Sequence, residues 1–185
     1  MTVFSPLRLA CILGGALILA SCGPKPTPQP LPPPLPQPPT PVVVTPLSAD
    51  WREWPVAAGD WSYRTIDGGS LASFGAPGQP AQLMLRCDVA THRISVSRAS
   101  TAPAEQIVGQ MMIRTTAGDA QWPVLPGGAP GAATSLAVAT RAAVDGVFDR
   151  MIFSRGRFAV EAPGAQLIVV PTWAEVARVI EDCRG

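Results

Sequence analysis

Between Pro24 and Pro46 roughly every second residue is proline, and that run decides how much of the chain can join a core. Each ring fixes its own φ, removes a hydrogen-bond donor and pushes the preceding residue out of the helical region, so the segment is predicted to be extended polyproline II. Such a stretch holds its ends apart, spanning up to about 70 Å at about 3.1 Å per residue. We read residues 22–49 as a stiff spacer and residues 50–185 as one globular domain. A Pro-x-x-Pro ligand for an aromatic groove is the sharper reading, but with so many prolines such matches arise by composition alone.

Before the spacer, Met1 to Arg8 carries one basic side chain and runs into an apolar stretch from Leu9 to Ala20. A helix of that length rises about 1.5 Å per residue and crosses roughly half of a ~30 Å hydrocarbon layer, so residues 1–21 read as a cleaved export signal and not as a permanent anchor. Leu19-Ala20-Ser21-Cys22 resembles the lipobox of bacterial lipoproteins. The resemblance implies that Cys22 becomes the lipid-bearing N-terminus and that several acyl chains hold the protein to a membrane, at about 0.8 kcal/mol per buried methylene. Gly23 stands where an Asp would signal inner-membrane retention, so the implied location is the outer membrane, facing the periplasm.

In that setting the cysteines sort themselves. Cys11 leaves with the signal and Cys22 is acylated, which leaves Cys87 and Cys183 in an oxidising compartment, where two thiols predict one disulfide. Cys87 shares a strand face with Leu83 and Leu85. Cys183 ends the stripe Trp173, Val176, Ala177, Ile180, whose spacing marks one side of a helix. A bridge between them staples that helix to a sheet. There is no Cys-x-x-Cys pair to favour redox chemistry.

From Asp50 the chain breaks into short alternating segments separated by Gly and Pro. Strands are predicted over 60–66 and 70–74 around Asp67-Gly68-Gly69, over 82–88 and 93–98 around residues 89–92, and over 110–116 and 121–125 around residues 117–120. Residues 126–131 read as a surface loop and 134–139 as a strand. Asp145 is placed to cap a short helix carrying Val147, Phe148, Met151 and Ile152. A last hairpin spans 157–161 and 167–170, and Thr172 with Glu175 has the form of a capping box for the final helix. Many strands and two helices give an α+β class: a largely antiparallel sheet or sandwich with a C-terminal helix packed on it.

The strand ending Leu83-Met84-Leu85-Arg86-Cys87, the alternating strand after it, a later short helix and a terminal helix with cysteine resemble small periplasmic proteins of the VasI type, which accompany type VI secretion systems. The stretches 151–158 and 179–184 are similar to uncharacterised lipoproteins of alphaproteobacteria. The second resemblance implies no activity; the first implies an accessory role beside a secretion machine.

Chemistry-bearing residues are sparse. The formal net charge of +1 gives no field to gather nucleic acid. His92, the single histidine, is expected in an exposed turn and inert, and without further ligands it makes no metal site. Ser70 after Gly68-Gly69 lacks the flanking glycine of a nucleophile elbow. Asp88, Asp145, Asp149, Glu161 and Glu175 are scattered, and sequence pairs no two of them as acid and base. Arg155 and Arg157 flank Gly156, a pattern that can hold a carboxylate or phosphate but more often marks a solvated turn. Trp51 and Trp54 are candidates for sugar or partner contact; the plainer expectation is that they cover an open end of the core. No catalytic residue and no cofactor is assigned. The expected function is a non-enzymatic envelope interaction or accessory module, binding envelope protein or peptidoglycan; a hydrolase of envelope polymers and a secretion-system accessory are the alternatives.

Overall fold

A computed structural model describes Gly23, residues 48–128 and residues 134–185. The segment expected as an export signal, Cys22, nearly all of the expected spacer and residues 129–131 of the expected loop lie outside the described residues.

Turn chemistry builds the first hairpins. β1 (Asp60–Ile66) pairs with β2 (Gly69–Gly75), with Ile66 opposite Gly69, so Asp67 and Gly68 form the turn and Gly68 takes φ +74°. β3 (Leu83–Asp88) and β4 (Arg93–Ser100) follow. The Asp88 carboxylate accepts from the backbone N–H groups of Ala90 and Thr91, which closes their connection. The chain then crosses to a second sheet for β5 (Gln110–Thr115) and β6 (Gly118–Pro123). It returns for β7 (Leu125–Gly127) and β8 (Ser135–Ala142), and crosses again for β9 (Arg157–Ala162) and β10 (Ala165–Pro171). The result is a six-stranded antiparallel sheet, β1-β2-β3-β4-β8-β7, and a four-stranded one, β10-β9-β5-β6.

Two helices complete the α+β class. In α1 (Gly146–Ile152) the Asp145 carboxylate accepts from Val147 N–H at 2.9 Å, and Val147, Phe148 and Met151 are buried. α2 (Ala174–Arg184) buries Val176, Val179, Ile180 and Cys183. Three details differ from the sequence reading. The β5–β6 turn is Thr116–Ala117, because Gly118, at φ +117°, already begins β6. β7 occupies Leu125-Pro126-Gly127, expected as return strand and loop; it is an edge strand, where a proline without N–H is tolerated. The capping box does not form: Trp173 is the N-cap of α2 without a side-chain bond, and the Thr172 hydroxyl is buried without a partner.

One face of the six-stranded sheet carries the core. Its central rows read Trp61, Phe74, Leu83, Arg98, Ala137 and then Tyr63, Ala72, Leu85, Val96, Ala139. At one end of this face the four-stranded sheet packs, with Trp61 5.4 Å from Phe74 and 6.5 Å from Phe158 between ring centres. At the other end lies α2, joined to β3 by the Cys87–Cys183 disulfide and to β1 by a 2.7 Å bond from the Tyr63 hydroxyl to Asp182. Trp122 against Phe148 packs α1 beside them. Both bridging cysteines are fully buried, as their shared periodicity with Leu83, Leu85 and Ile180 requires. The opposite face holds Arg64, Arg86, Ser95 and Thr140, the polar partners of that alternation.

Candidate functional site

Trp51 does not close an end of the main core. It sits in a 3-10 turn, Trp51–Glu53, whose N-cap Asp50 accepts from Arg52 N–H; that bond, above all, holds the Asp50 carboxyl below its usual range. The indole packs on Ala159 of β9 and Val169 of β10, forming a small second cluster on the outer face of the four-stranded sheet. Trp54 and Leu167, both half-buried, extend it. Trp54 donates Nε1–H to the Ser48 carbonyl at 2.6 Å. Arg157 reaches up from β9 and donates to the carbonyls of Arg52 and Trp54 at 3.3 and 3.1 Å. So three of the four candidate binding residues, Trp51, Trp54 and Arg157, share one neighbourhood, with Arg157 as its fastener.

Arg155 stands nearby and exposed. Its N–H is taken by the Thr116 hydroxyl, and with Arg52, Thr116 and Arg157 it borders a shallow depression of about 470 Å³. The Gly156 carbonyl accepts from Thr172 N–H. These bonds close the turn.

The larger concavity lies against the tryptophans. It measures about 810 Å³ and is lined by the apolar Trp54, Pro55, Ala57 and Leu167 and by the charged Arg98, Arg114 and Glu161. That volume falls within the range of small-ligand sites. A second depression of about 600 Å³ shares Gln82, Arg98, Glu161 and Gln166 with it, so Arg98 lies where the two meet.

Arg98 is the residue that reading the sequence passed over. It is only 6% exposed and stands in the inward row between Leu83 and Ala137. Nη1 donates to the Gln82 carbonyl at 2.5 Å and Nη2 to the Gln166 carbonyl at 2.8 Å, while Nε has no partner. The bond to Gln166 falls at an irregularity between Ala165 and Ile168, where β10 slips its register against β9. No carboxylate among the described residues comes within ion-pair distance of Arg98. Burial pushes its pKa down to about 10, so at neutral pH the charge remains. A buried guanidinium satisfied by carbonyls alone is costly, since desolvating a charge takes several kcal/mol and no opposite charge among the described residues is present to offset part of it. Arg114, on the outer face, differs: it pairs with Asp119 at 2.8 Å and reaches Glu161 at 3.8 Å.

Elsewhere the chemistry is structural. His92 is exposed as expected, at φ 49°, but not idle: its Nδ1 donates to the Cys183 carbonyl at 2.8 Å near the end of α2, where the helix dipole favours a donor. Ser70 is buried, with its hydroxyl unpartnered. Asp149 pairs with Arg184 and Asp145 with Arg141, so these carboxylates serve caps and ion pairs. Among the described residues no group of three His, Cys, Asp or Glu side chains could hold a metal ion, and no helix is long and apolar enough to cross a membrane. Comparison with protein-family models, with curated proteins and with solved structures finds no match.

Proposed function

We propose that this chain is a lipid-anchored envelope protein whose folded part is a non-enzymatic interaction module, with the cleft beside Trp54 as its binding surface. The observation that carries the reading is the cleft itself: about 810 Å³, amphipathic, lined both by apolar side chains and by a buried cation that has no internal counter-ion among the described residues. The lipobox-like Leu19-Ala20-Ser21-Cys22 and the spacer after it support attachment through acylated Cys22, and the Cys87–Cys183 bridge suits an oxidising compartment such as the periplasm. Peptidoglycan or an envelope protein is the partner class that such an address offers.

Two measurements test this. Mass spectrometry of the native protein should find an N-terminal acylated Cys22; an unmodified full-length chain refutes the anchor. A photo-reactive residue replacing Leu167, in the cleft wall, should cross-link envelope material in living cells, whereas one replacing Thr140, on the far face of the other sheet, should not. Equal capture from both positions, or none from Leu167, removes envelope material as the partner of the cleft.

A further inference from the structure

We propose that the cleft binds a peptide's terminal carboxylate, with Arg98 as the anchoring cation and Trp54 and Leu167 as the bed for the residues that precede it. This deepens the reading of the cleft as a binding surface and rests on it.

Four observations lead to this ligand. The guanidinium of Arg98 offers five N–H groups, of which the Gln82 and Gln166 carbonyls engage two, so donors remain on a side chain that is only 6% exposed and borders both depressions. A planar carboxylate matches that fork with two parallel bonds, which makes Arg the preferred residue for carboxylate recognition. The charge around the cleft then sets the valence of the ligand. Arg98, Arg114 and Glu161 line the cleft, and Arg114 is already drawn to Asp119 and Glu161, so Arg98 is left as one unopposed cation, which suffices for a single negative charge and not for a doubly charged phosphate. Finally, Trp54, Pro55, Ala57 and Leu167 give the body of the ligand an apolar surface, and the cleft follows β10 from Gln166 to Val169, the outermost strand of its sheet, as an extended chain end requires.

Two sources carry such a group: the stem peptides of peptidoglycan, which end in D-residues, and the C-termini of proteins, which end in L-residues. The test is calorimetric titration of the full chain in detergent with N-acetyl-D-alanyl-D-alanine, its L,L isomer, the amide of each, and inorganic phosphate. At least one free acid should bind, its amide at least tenfold more weakly, and phosphate not at all. Preference for D,D assigns the ligand to the cell wall and preference for L,L to a protein end, while equal binding assigns recognition to the carboxylate alone. Arg98→Met should lower affinity at least tenfold, whereas Arg86→Met, on the far face of the same sheet, should leave it unchanged. Should Arg98→Met fail to fold, the acid-against-amide comparison on the unaltered chain still decides. Amides that bind as well as acids, phosphate that competes, or no acid binding up to 10 mM overturns the proposal. If the Leu167 cross-link persists while acid and amide are indistinguishable, the carboxylate falls and the binding surface stands. If the acids bind while Leu167 captures nothing, the carboxylate site stands and the envelope partner falls.

Discussion

Removing the disulfide is the sharpest perturbation the fold offers. Cys87 and Cys183 are 96 residues apart in sequence, and their bridge restrains an unfolded chain that would otherwise explore that whole loop. Loop-closure entropy for a ring of this size amounts to about 4.7 kcal/mol at 25 °C. That is a large share of the 5 to 15 kcal/mol that ordinarily separates folded from unfolded domains. The double replacement Cys87→Ala and Cys183→Ala should therefore lower the unfolding free energy by about 3 to 5 kcal/mol. In urea, with a slope of ~1.5 to 2 kcal/mol per molar, the midpoint should fall by about 2 to 3 M. The assay is equilibrium urea unfolding followed by tryptophan fluorescence, which reads Trp61 and Trp122 in the core. Because both cysteines are fully buried, a phosphine reductant should act slowly on the native protein and quickly once urea opens it. A loss below about 1 kcal/mol, or reduction at the same rate with and without urea, refutes the account.

Asp145→Ala removes both the cap on Val147 N–H and the ion pair with Arg141, and thermal unfolding should report a loss of about 1 kcal/mol. Thr172→Val replaces a buried, unpartnered hydroxyl with a methyl of the same shape, so stability should hold or rise by up to ~1 kcal/mol; a clear loss would mean that the hydroxyl has a partner. The depressed pKa of Arg98 also has a sign. Above about 10 the unfolded state keeps a proton that the folded state has released, so the contribution of Arg98 to stability should rise with pH there and stay flat below it. Denaturant titrations at pH 9 and pH 11, comparing the natural protein with Arg98→Met, should show the natural protein gaining relative to the variant; the reverse trend contradicts a guanidinium desolvated in the folded state.

Much of the architecture was readable where side chains alternate and glycine marks the turns. The β1–β2, β3–β4 and β9–β10 hairpins, the Asp145 cap and the inward face of both bridging cysteines all followed from local pattern. Partition of the strands between two sheets did not, because β4 pairs with β8, far along the chain, and nothing local specifies that partner. The edge strand β7 was hidden because Leu125-Pro126-Gly127 has turn composition and takes its conformation from β8. Thr172 and Glu175 matched a capping motif, yet the helix begins one residue later, after Trp173. At the site, Trp51, Trp54 and Arg157 were recognised by chemistry, but their support, the outer face of β9 and β10, depends on tertiary contact. Arg98 was within reach. Its parity with Ile94 and Val96 places it on the inward side, although a charged residue near a strand's end ordinarily reads as solvated.

The contact of β1 with β10 bears on the order in which this molecule can assemble. Trp61 donates its indole N–H to the Pro171 carbonyl and stacks on Phe158, so a strand near the beginning of the fold is completed by the two strands that come last. A chain delivered N-terminus first, one residue at a time, would bring β1 into the open long before its counterparts arrive. Until then the early hairpins form a one-sided scaffold with its apolar rows uncovered, a species that needs shielding or speed to avoid self-association. Such long-range closure belongs to slow, late-committing folding, and Trp61 is the residue at which that commitment can be watched.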